Sequence, residues 1–194
     1  NYELTEYTPG EFTITQRSIE VAAIDTRKTF GETDPEFDYT ISRGSLVGDD
    51  EFTGTLEREP GEDVGFYDIG AGTFTAGANY LLTVLPGGFE IQPAELTITV
   101  GSGYTSWGEA QPEFTLTPSG LVAGDAITST TLLFDGSTVA PVLPGTYEVS
   151  VELGATELGA GSNYDVTVVP GTWIIDGPYA VAIDPPSGLT TGGL

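Results

Sequence analysis

Cysteine, histidine and methionine are all missing from this 194-residue chain. Without cysteine there are no disulfides, thiolate metal sites or thiol nucleophiles. Without histidine the usual proton shuttle and the commonest transition-metal ligand are gone. A nucleophile and base would have to be assembled from Lys, Tyr or carboxylates alone, so the composition points away from an enzyme. Position 1 is Asn, and no apolar run is long enough for a signal peptide or a membrane-spanning helix. The expectation is an internal or processed piece of a longer protein.

Positive charge is the next scarcity. Five Lys+Arg face 29 Asp+Glu, a formal net charge of -24. Such a surface repels phosphate backbones and anionic leaflets, so neither nucleic acid nor direct insertion into a membrane is an expected partner. It stays soluble, keeps neighbouring chains apart and collects cations, which suits a saline or calcium-rich medium outside the cell. An acidic cytoplasmic protein of a halophile would share the feature. With 39% hydrophobic residues, the chain has enough apolar material to bury cores.

What the sequence does have is a repeat. Asn79-Tyr80-Leu81-Leu82-Thr83-Val84 runs on through Phe89-Glu90-Ile91 to Pro93 and then Leu96-Thr97-Ile98-Thr99-Val100. Asn1-Tyr2 leads likewise to Phe12-Thr13-Ile14 and Ile19-Glu20-Val21, and Asn163-Tyr164 leads to Trp173-Ile174-Ile175 and Ala180-Val181. Self-similarity at this period marks an array of repeated domains.

Four segments follow. Residues 1–16 read as the last two strands of a truncated repeat, turned at Pro9-Gly10; residues 17–93 are a complete copy and 94–177 a more divergent one. Residues 178–194 are the first strand, or a linker, of a following domain. In the complete copy Ile19, Val21 and Ala23 face one way and Ser18, Glu20 and Ala22 the other. Strand-like stretches recur at Phe37 to Ile41, Phe52 to Leu56 and Phe66 to Ile69, and no window holds an apolar pattern at helical spacing. In the next copy Trp107-Gly108-Glu109 to Phe114 lies over Phe30-Gly31-Glu32 to Phe37, and Gly145 to Val149 lies over Gly65 to Ile69. The extra residues of the second copy fall in loops around Leu132 to Pro144 and Val151 to Ser162. The fold class is all-β, as tandem immunoglobulin-like sandwiches; a β-grasp-like sheet without its helix is the alternative.

Phe30-Gly31, Asp34-Pro35, Phe37, Tyr39, Leu46-Val47-Gly48-Asp49, Gly65 to Ile69, Asn79-Tyr80 and Phe89 to Pro93 resemble the MBG (mostly-beta, glycine-rich) domain. That family occurs as tandem repeats in large bacterial surface proteins, including filamentous-haemagglutinin-like adhesins. The resemblance is strong over 17–93, fair over 94–177, where Gln111 replaces the Asp before Pro, and partial over 1–16. It implies an extracellular or cell-surface role in adhesion or fibre structure, and it brings no enzymatic motif. The tail Asp184-Pro185-Pro186-Ser187-Gly188, followed by Thr190-Thr191-Gly192-Gly193, is similar to the opening of immunoglobulin-like IPT/TIG domains and equally to a plain linker.

From the last buried residue of one copy to the first-strand position of the next the spacing is constant: Ile14 to Ile19, Ile91 to Leu96, Ile175 to Ala180. Pro93 and Pro178 fix φ at two of these junctions. A stiff stalk or fibre supporting an adhesive tip is therefore expected, with neighbouring repeats of the same chain as the first partners. Two alternatives stay open: the domains themselves bind a surface glycan or protein receptor, or terminal strands exchange between copies to build a filament.

Asp25, Asp34, Asp49, Asp50, Glu51, Asp176 and Asp184 are carboxylates that could ligate Ca²⁺, the last two flanking a junction; no Asp-x-Asp-x-Asp-Gly loop occurs, and Gly48-Asp49 and Gly124-Asp125 also read as simple turns. Glu57 with Glu59, and Glu62 with Asp63, are carboxylate pairs of the kind glycosidases use, though small sandwiches lack the cleft. Trp107 and Trp173 replace Phe30 and Phe89 and are expected in the core or at an interface. Lys28, the only lysine, is expected as a solvated charge rather than a partner in an isopeptide crosslink.

Overall fold

The computed structural model describes residues 2, 3, 6, 8–128, 130–153 and 163–178. Two compact units, 1–94 and 95–194, are built on one plan. In the first, β1 (Arg17–Ala23), β3 (Tyr39–Arg43) and β6 (Tyr80–Leu85) form a sheet in the order β3-β1-β6. The second sheet holds β2 (Thr26–Thr29), β4 (Glu57–Arg58), β5 (Gly65–Gly70) and β7 (Gly87–Gln92) in the order β2-β7-β5-β4.

The second unit repeats this strand for strand. β8 (Ala94–Val100), β10 (Leu116–Ser119) and β13 (Tyr164–Val169) give the order β10-β8-β13. β9 (Gly103–Ser106), β11 (Thr130–Phe134), β12 (Gly145–Leu153) and β14 (Gly171–Asp176) give β11-β12-β14-β9. No helix occurs among the described residues, so the all-β class read from the sequence holds, and both sheets of the first unit feed one core, as in a sandwich.

That core follows from period-two alternation. β1 buries Ile19, Val21 and Ala23, β7 buries Phe89 and Ile91, and β5 buries Ile69; Leu56, Phe74 and Tyr80 close the cluster. Phe89 and Ile91 stand almost completely out of water in the same cluster as Ile19 and Val21, because the two sheets present these faces to each other. A fully buried side chain of this size contributes about 1.5–3 kcal/mol.

The topology has one unusual feature. β1 and β2 are separated by only two residues yet belong to different sheets, so the first long strand passes from one sheet to the other. β6 and β7 do the same around Pro86. The two long strands run side by side and parallel, Arg17 to Ala22 against Tyr80 to Leu85 in one sheet and Thr26 to Thr29 against Phe89 to Gln92 in the other. Where they switch sheets together, their backbones touch: a Cβ on Gly87 would lie 2.9 Å from the Ala23 carbonyl oxygen. Only glycine allows that approach. In the second unit β9 and β14 are likewise parallel, with Trp173 to Asp176 against Gly103 to Ser106.

β2, β4 and β9 are strands that periodicity does not show; the strand-like stretch Phe52 to Leu56 forms only an isolated bridge at Thr53, and Leu132, expected in a loop, lies in β11. Thr26-Arg27-Lys28-Thr29 carries two cations and no large apolar residue, and it forms as a strand because β7 offers an open edge beside it. The described residues before Arg17 lie outside any strand. Phe12 and Ile14 are 87% and 85% exposed, although their counterparts Phe89 and Ile91 are buried; they add no strand to the unit that follows.

Ile91→Ala should remove about 2–5 kcal/mol from the first unit alone. Both tryptophans lie in the second unit, so the loss is expected in circular dichroism, with the tryptophan fluorescence transition unmoved.

Candidate functional site

Three small devices recur in both units. The first is a turn. Thr29-Phe30-Gly31-Glu32 ends β2 with Gly31 at φ 84°, and Ser106-Trp107-Gly108-Glu109 ends β9 with Gly108 at φ 89°. Glycine adopts that left-handed conformation without steric cost, which is why the aromatic is followed by Gly. The Glu32 N–H donates to the Thr29 carbonyl at 3.1 Å, and the Thr29 N–H donates back to the Glu32 carboxylate at 2.9 Å. Glu109 and Ser106 make the same exchange at 3.1 and 2.7 Å. The aromatic N–H then docks on the end of the last strand, Phe30 on Gln92 and Trp107 on Asp176, each at 2.8 Å.

The second device is the tyrosine of the Asn-Tyr pair. The Tyr80 ring is buried, and its hydroxyl accepts the Val47 N–H at 2.8 Å while donating to Asp50 at 2.6 Å. Tyr164 does the same with the Val122 N–H, at 3.0 Å, and with Asp125. The hydrogen bond to Asp50, together with burial, pushes the Tyr80 phenol up from its ordinary pKa; burial first, then Asp125, does so for Tyr164. The third is a corner in which the Tyr67 hydroxyl donates to the Asp63 carbonyl at 2.8 Å and Tyr147 to that of Leu143 at 2.9 Å.

The carboxylates singled out as calcium ligands are dispersed. Asp25 sits where β1 passes into β2 and accepts the Gly88 N–H at 2.7 Å, a task Ser102 performs for Thr172 in the other unit. Asp49 lies exposed in the turn beside Asp50, which the Tyr80 hydroxyl engages. Asp176 accepts from the Tyr104 hydroxyl at 2.7 Å; Asp184 lies outside the described residues. Among the described residues no three acidic side chains gather into a group that could hold a metal ion.

One site belongs to the first unit alone. Lys28 is not a solvated charge: it is 5% exposed, and its ammonium lies 2.7 Å from Asp34 and 2.5 Å from Glu62. Arg58, from β4, reaches Asp34 through Nε at 2.6 Å and Glu62 through Nη2 at 2.6 Å. Its remaining N–H groups bond the Glu59 and Gly61 carbonyls at 2.9 and 2.5 Å. The guanidinium lies 4.9 Å above the Phe89 ring centroid and 5.3 Å above that of Tyr67. Burial alone would depress the Lys28 pKa; the hydrogen bonds and charges of Asp34 and Glu62 outweigh it and raise it. The Arg58 hydrogen bond holds Asp34 below the ordinary carboxylate range against the pull of burial, and the Lys28 hydrogen bond does the same for Glu62.

In the second unit the same registers carry different chemistry. Thr105 stands where Lys28 does and accepts the Trp173 indole N–H at 2.9 Å. Phe134 takes the place of Arg58 and packs on Trp173, with centroids 5.6 Å apart. Trp173 is thus core, as its alignment with Phe89 implies. Trp107 is not: it is 54% exposed, and its indole N–H donates to the Val142 carbonyl at 3.2 Å. The loop from Asp135 to Pro144, four residues longer than its counterpart between Arg58 and Gly65, supplies that carbonyl together with exposed Val139, Val142 and Leu143.

The comparison with known families agrees with this duplicated plan. A family model described as MBG domain, YGX type, matches residues 19–90 and again 96–173. The chain belongs to the MBG family. The MBG repeats here are structural all-β domains, with the Phe30-Gly31-Glu32 and Trp107-Gly108-Glu109 turns in equivalent places. No curated protein matches the chain.

Removing one carboxylate from the MBG repeat's ion cluster leaves two buried cations sharing the other. Asp34→Asn is expected to cost the first unit about 3 kcal/mol, measured by denaturant unfolding followed in the far ultraviolet. The folded-state pKa values of Asp34 and Glu62 lie below their unfolded values. Their contribution is therefore complete above about pH 5 and lost as pH falls through the folded values. Acidification should weaken the first unit relative to the second, and Asp34→Asn should narrow that difference.

Proposed function

We propose that this chain is a run of structural repeats from an extracellular bacterial surface protein, acting as a stiff spacer that supports adhesion. The observation that carries the reading is the parallel pairing of first and last strands. In the first unit the chain enters at Arg17, beside Tyr80, and leaves at Gln92, beside Thr29, at the opposite end of the same strand pair. Only Pro93 then separates β7 from β8. A repeat that starts and finishes at opposite ends carries the chain across its own length, and the one residue that follows has a fixed φ. About 13 residues of extended strand make that step roughly 40 Å.

The recurrence of the aromatic-Gly-Glu turn, the buried tyrosine and the tyrosine corner in both units supports a scaffold, since these groups hold backbone to backbone rather than aim at a ligand. The acidic surface supports an exposed setting in which neighbouring chains repel one another. The reading assigns no reaction to the chain. Small-angle scattering of residues 1–194 is expected to give a narrow spread of maximum dimension, as a stiff spacer requires. A broad spread would sink it. The same measurement in calcium and in chelator tests an ion at the Asp176 and Asp184 junction, which requires the dimension or its spread to change.

One observation favours a second reading, binding of a glycan or protein receptor. Trp107 and the exposed Val139, Val142 and Leu143 belong to a loop arrangement that the first unit lacks. Trp107→Ala should abolish retention on an immobilised glycan array or host-cell surface without moving the unfolding midpoint by more than about 1 kcal/mol; retention unchanged by the substitution removes this reading.

A further inference from the structure

We propose that the first repeat bears tension, and that its parallel terminal strands are the element that resists it. Load applied through the chain pulls β1 toward its N-terminal end and β7 toward its C-terminal end. Because the long strand β1-β2 runs parallel to β6-β7, these pulls slide one strand lengthwise past the other. The six pairs from Arg17 and Tyr80 to Ala22 and Leu85, and the four from Thr26 and Phe89 to Thr29 and Gln92, are loaded together. The bonds from Arg17 N–H to the Asn79 carbonyl, 3.0 Å, and from Phe30 N–H to the Gln92 carbonyl, 2.8 Å, extend the ladder at either end. No rung opens before its neighbours feel the same displacement.

The flanking strands add to this. β1 is held on its other side by antiparallel β3, and β7 by antiparallel β5. A slip of one residue, about 3.3 Å, turns every side chain to the opposite face. It would drive Ile19, Val21, Phe89 and Ile91 out of the core in the same step. Hydrogen bonds and apolar burial therefore fail at one barrier, and resistance to pulling is set by the height of that barrier, not by equilibrium stability. Lys28 strengthens the lateral hold, since it ties edge strand β2 to Asp34 and Glu62, and Arg58 carries the tie on to β4.

This deepens the spacer reading and rests on it only for the setting in which load arises. The chain has no cysteine, so two introduced cysteines give unique handles for single-molecule force spectroscopy. Gln16→Cys with Glu95→Cys loads the repeat along its strands. Gln16→Cys with Ala78→Cys pulls apart two neighbouring points at one end, where the Gln16 amide now bonds the Ala78 carbonyl, and opens the ladder rung by rung. At one loading rate the first geometry is expected to need roughly two-fold or more the force of the second. Its unfolding event should lengthen the chain by about 220 Å. Denaturant midpoints of the two variants, expected to agree, exclude a difference in stability. Equal forces overturn the inference even for a chain that scatters as a rod, and a flexible chain that still resists only lengthwise pulling overturns the spacer reading instead.

Discussion

Parallel pairing between the first and last strands is the constraint from which the rest of each unit follows. Two parallel neighbours cannot be joined by a tight turn, so everything between them must travel out and back. Here that return path supplies β3 to one sheet and β4 and β5 to the other; antiparallel β3 covers β1 and antiparallel β5 covers β7, while β6 and β2 remain edges. Because the two long strands also change sheets together, one pair of strands organises both layers. Gly87 is the steric condition for that crossing, and Gly171, whose added Cβ would meet the Gly101 carbonyl, is the same condition in the second unit.

Much of this was legible in the sequence. The period-two runs around Ile19, Ile69, Leu82 and Ile91 marked strands that formed, and the repeated Asn-Tyr and aromatic-Gly pairs marked equivalent points of two copies. Their reasons became visible only in three dimensions. The Asn-Tyr tyrosine keeps its hydroxyl on a turn 30 to 42 residues earlier in sequence, which no local pattern encodes. It is Asp50, not Asp49, that plays the part of Asp125, because the connector of the first unit is one residue out of step with that of the second.

The ion cluster was not legible for a different reason. Lys28, Asp34, Arg58 and Glu62 come from an edge strand, the loop after it, a two-residue strand and a surface loop, and each taken alone looks like a solvated charge. Burial is decided by Phe89 and Tyr67 beneath them, and a cation lying over an aromatic face costs less to desolvate than one in an aliphatic core. The overwhelming acidity of the chain also misleads: with so few cations, it is natural to expect all of them in water, yet two are enclosed by carboxylates that would otherwise repel each other. Trp107 misled in the opposite direction. Its alignment with Phe30 suggested the core or an interface; it is not core, because a longer neighbouring loop holds the indole at the surface of its unit.

Comparing the two units separates what the fold requires from what a single copy chooses. The turn glycines, the buried tyrosine, the crossing point and the tyrosine corner are common to both. The space over the residue at position 89 or 173 is filled by a guanidinium in one and by Phe134 in the other, two ways of covering the same aromatic ring. Such a swap is tolerated because the plan is carried by backbone ladders, and the side chains above the ring only need to exclude water and satisfy their own polar groups. The two solutions are not interchangeable, since β2 with Lys28 would leave its charge without Asp34 and Glu62 if it were seated in the Thr105 position. The ion cluster thus matches β2 to the carboxylates of its own unit, as Thr105 matches β9 to Trp173 in the other.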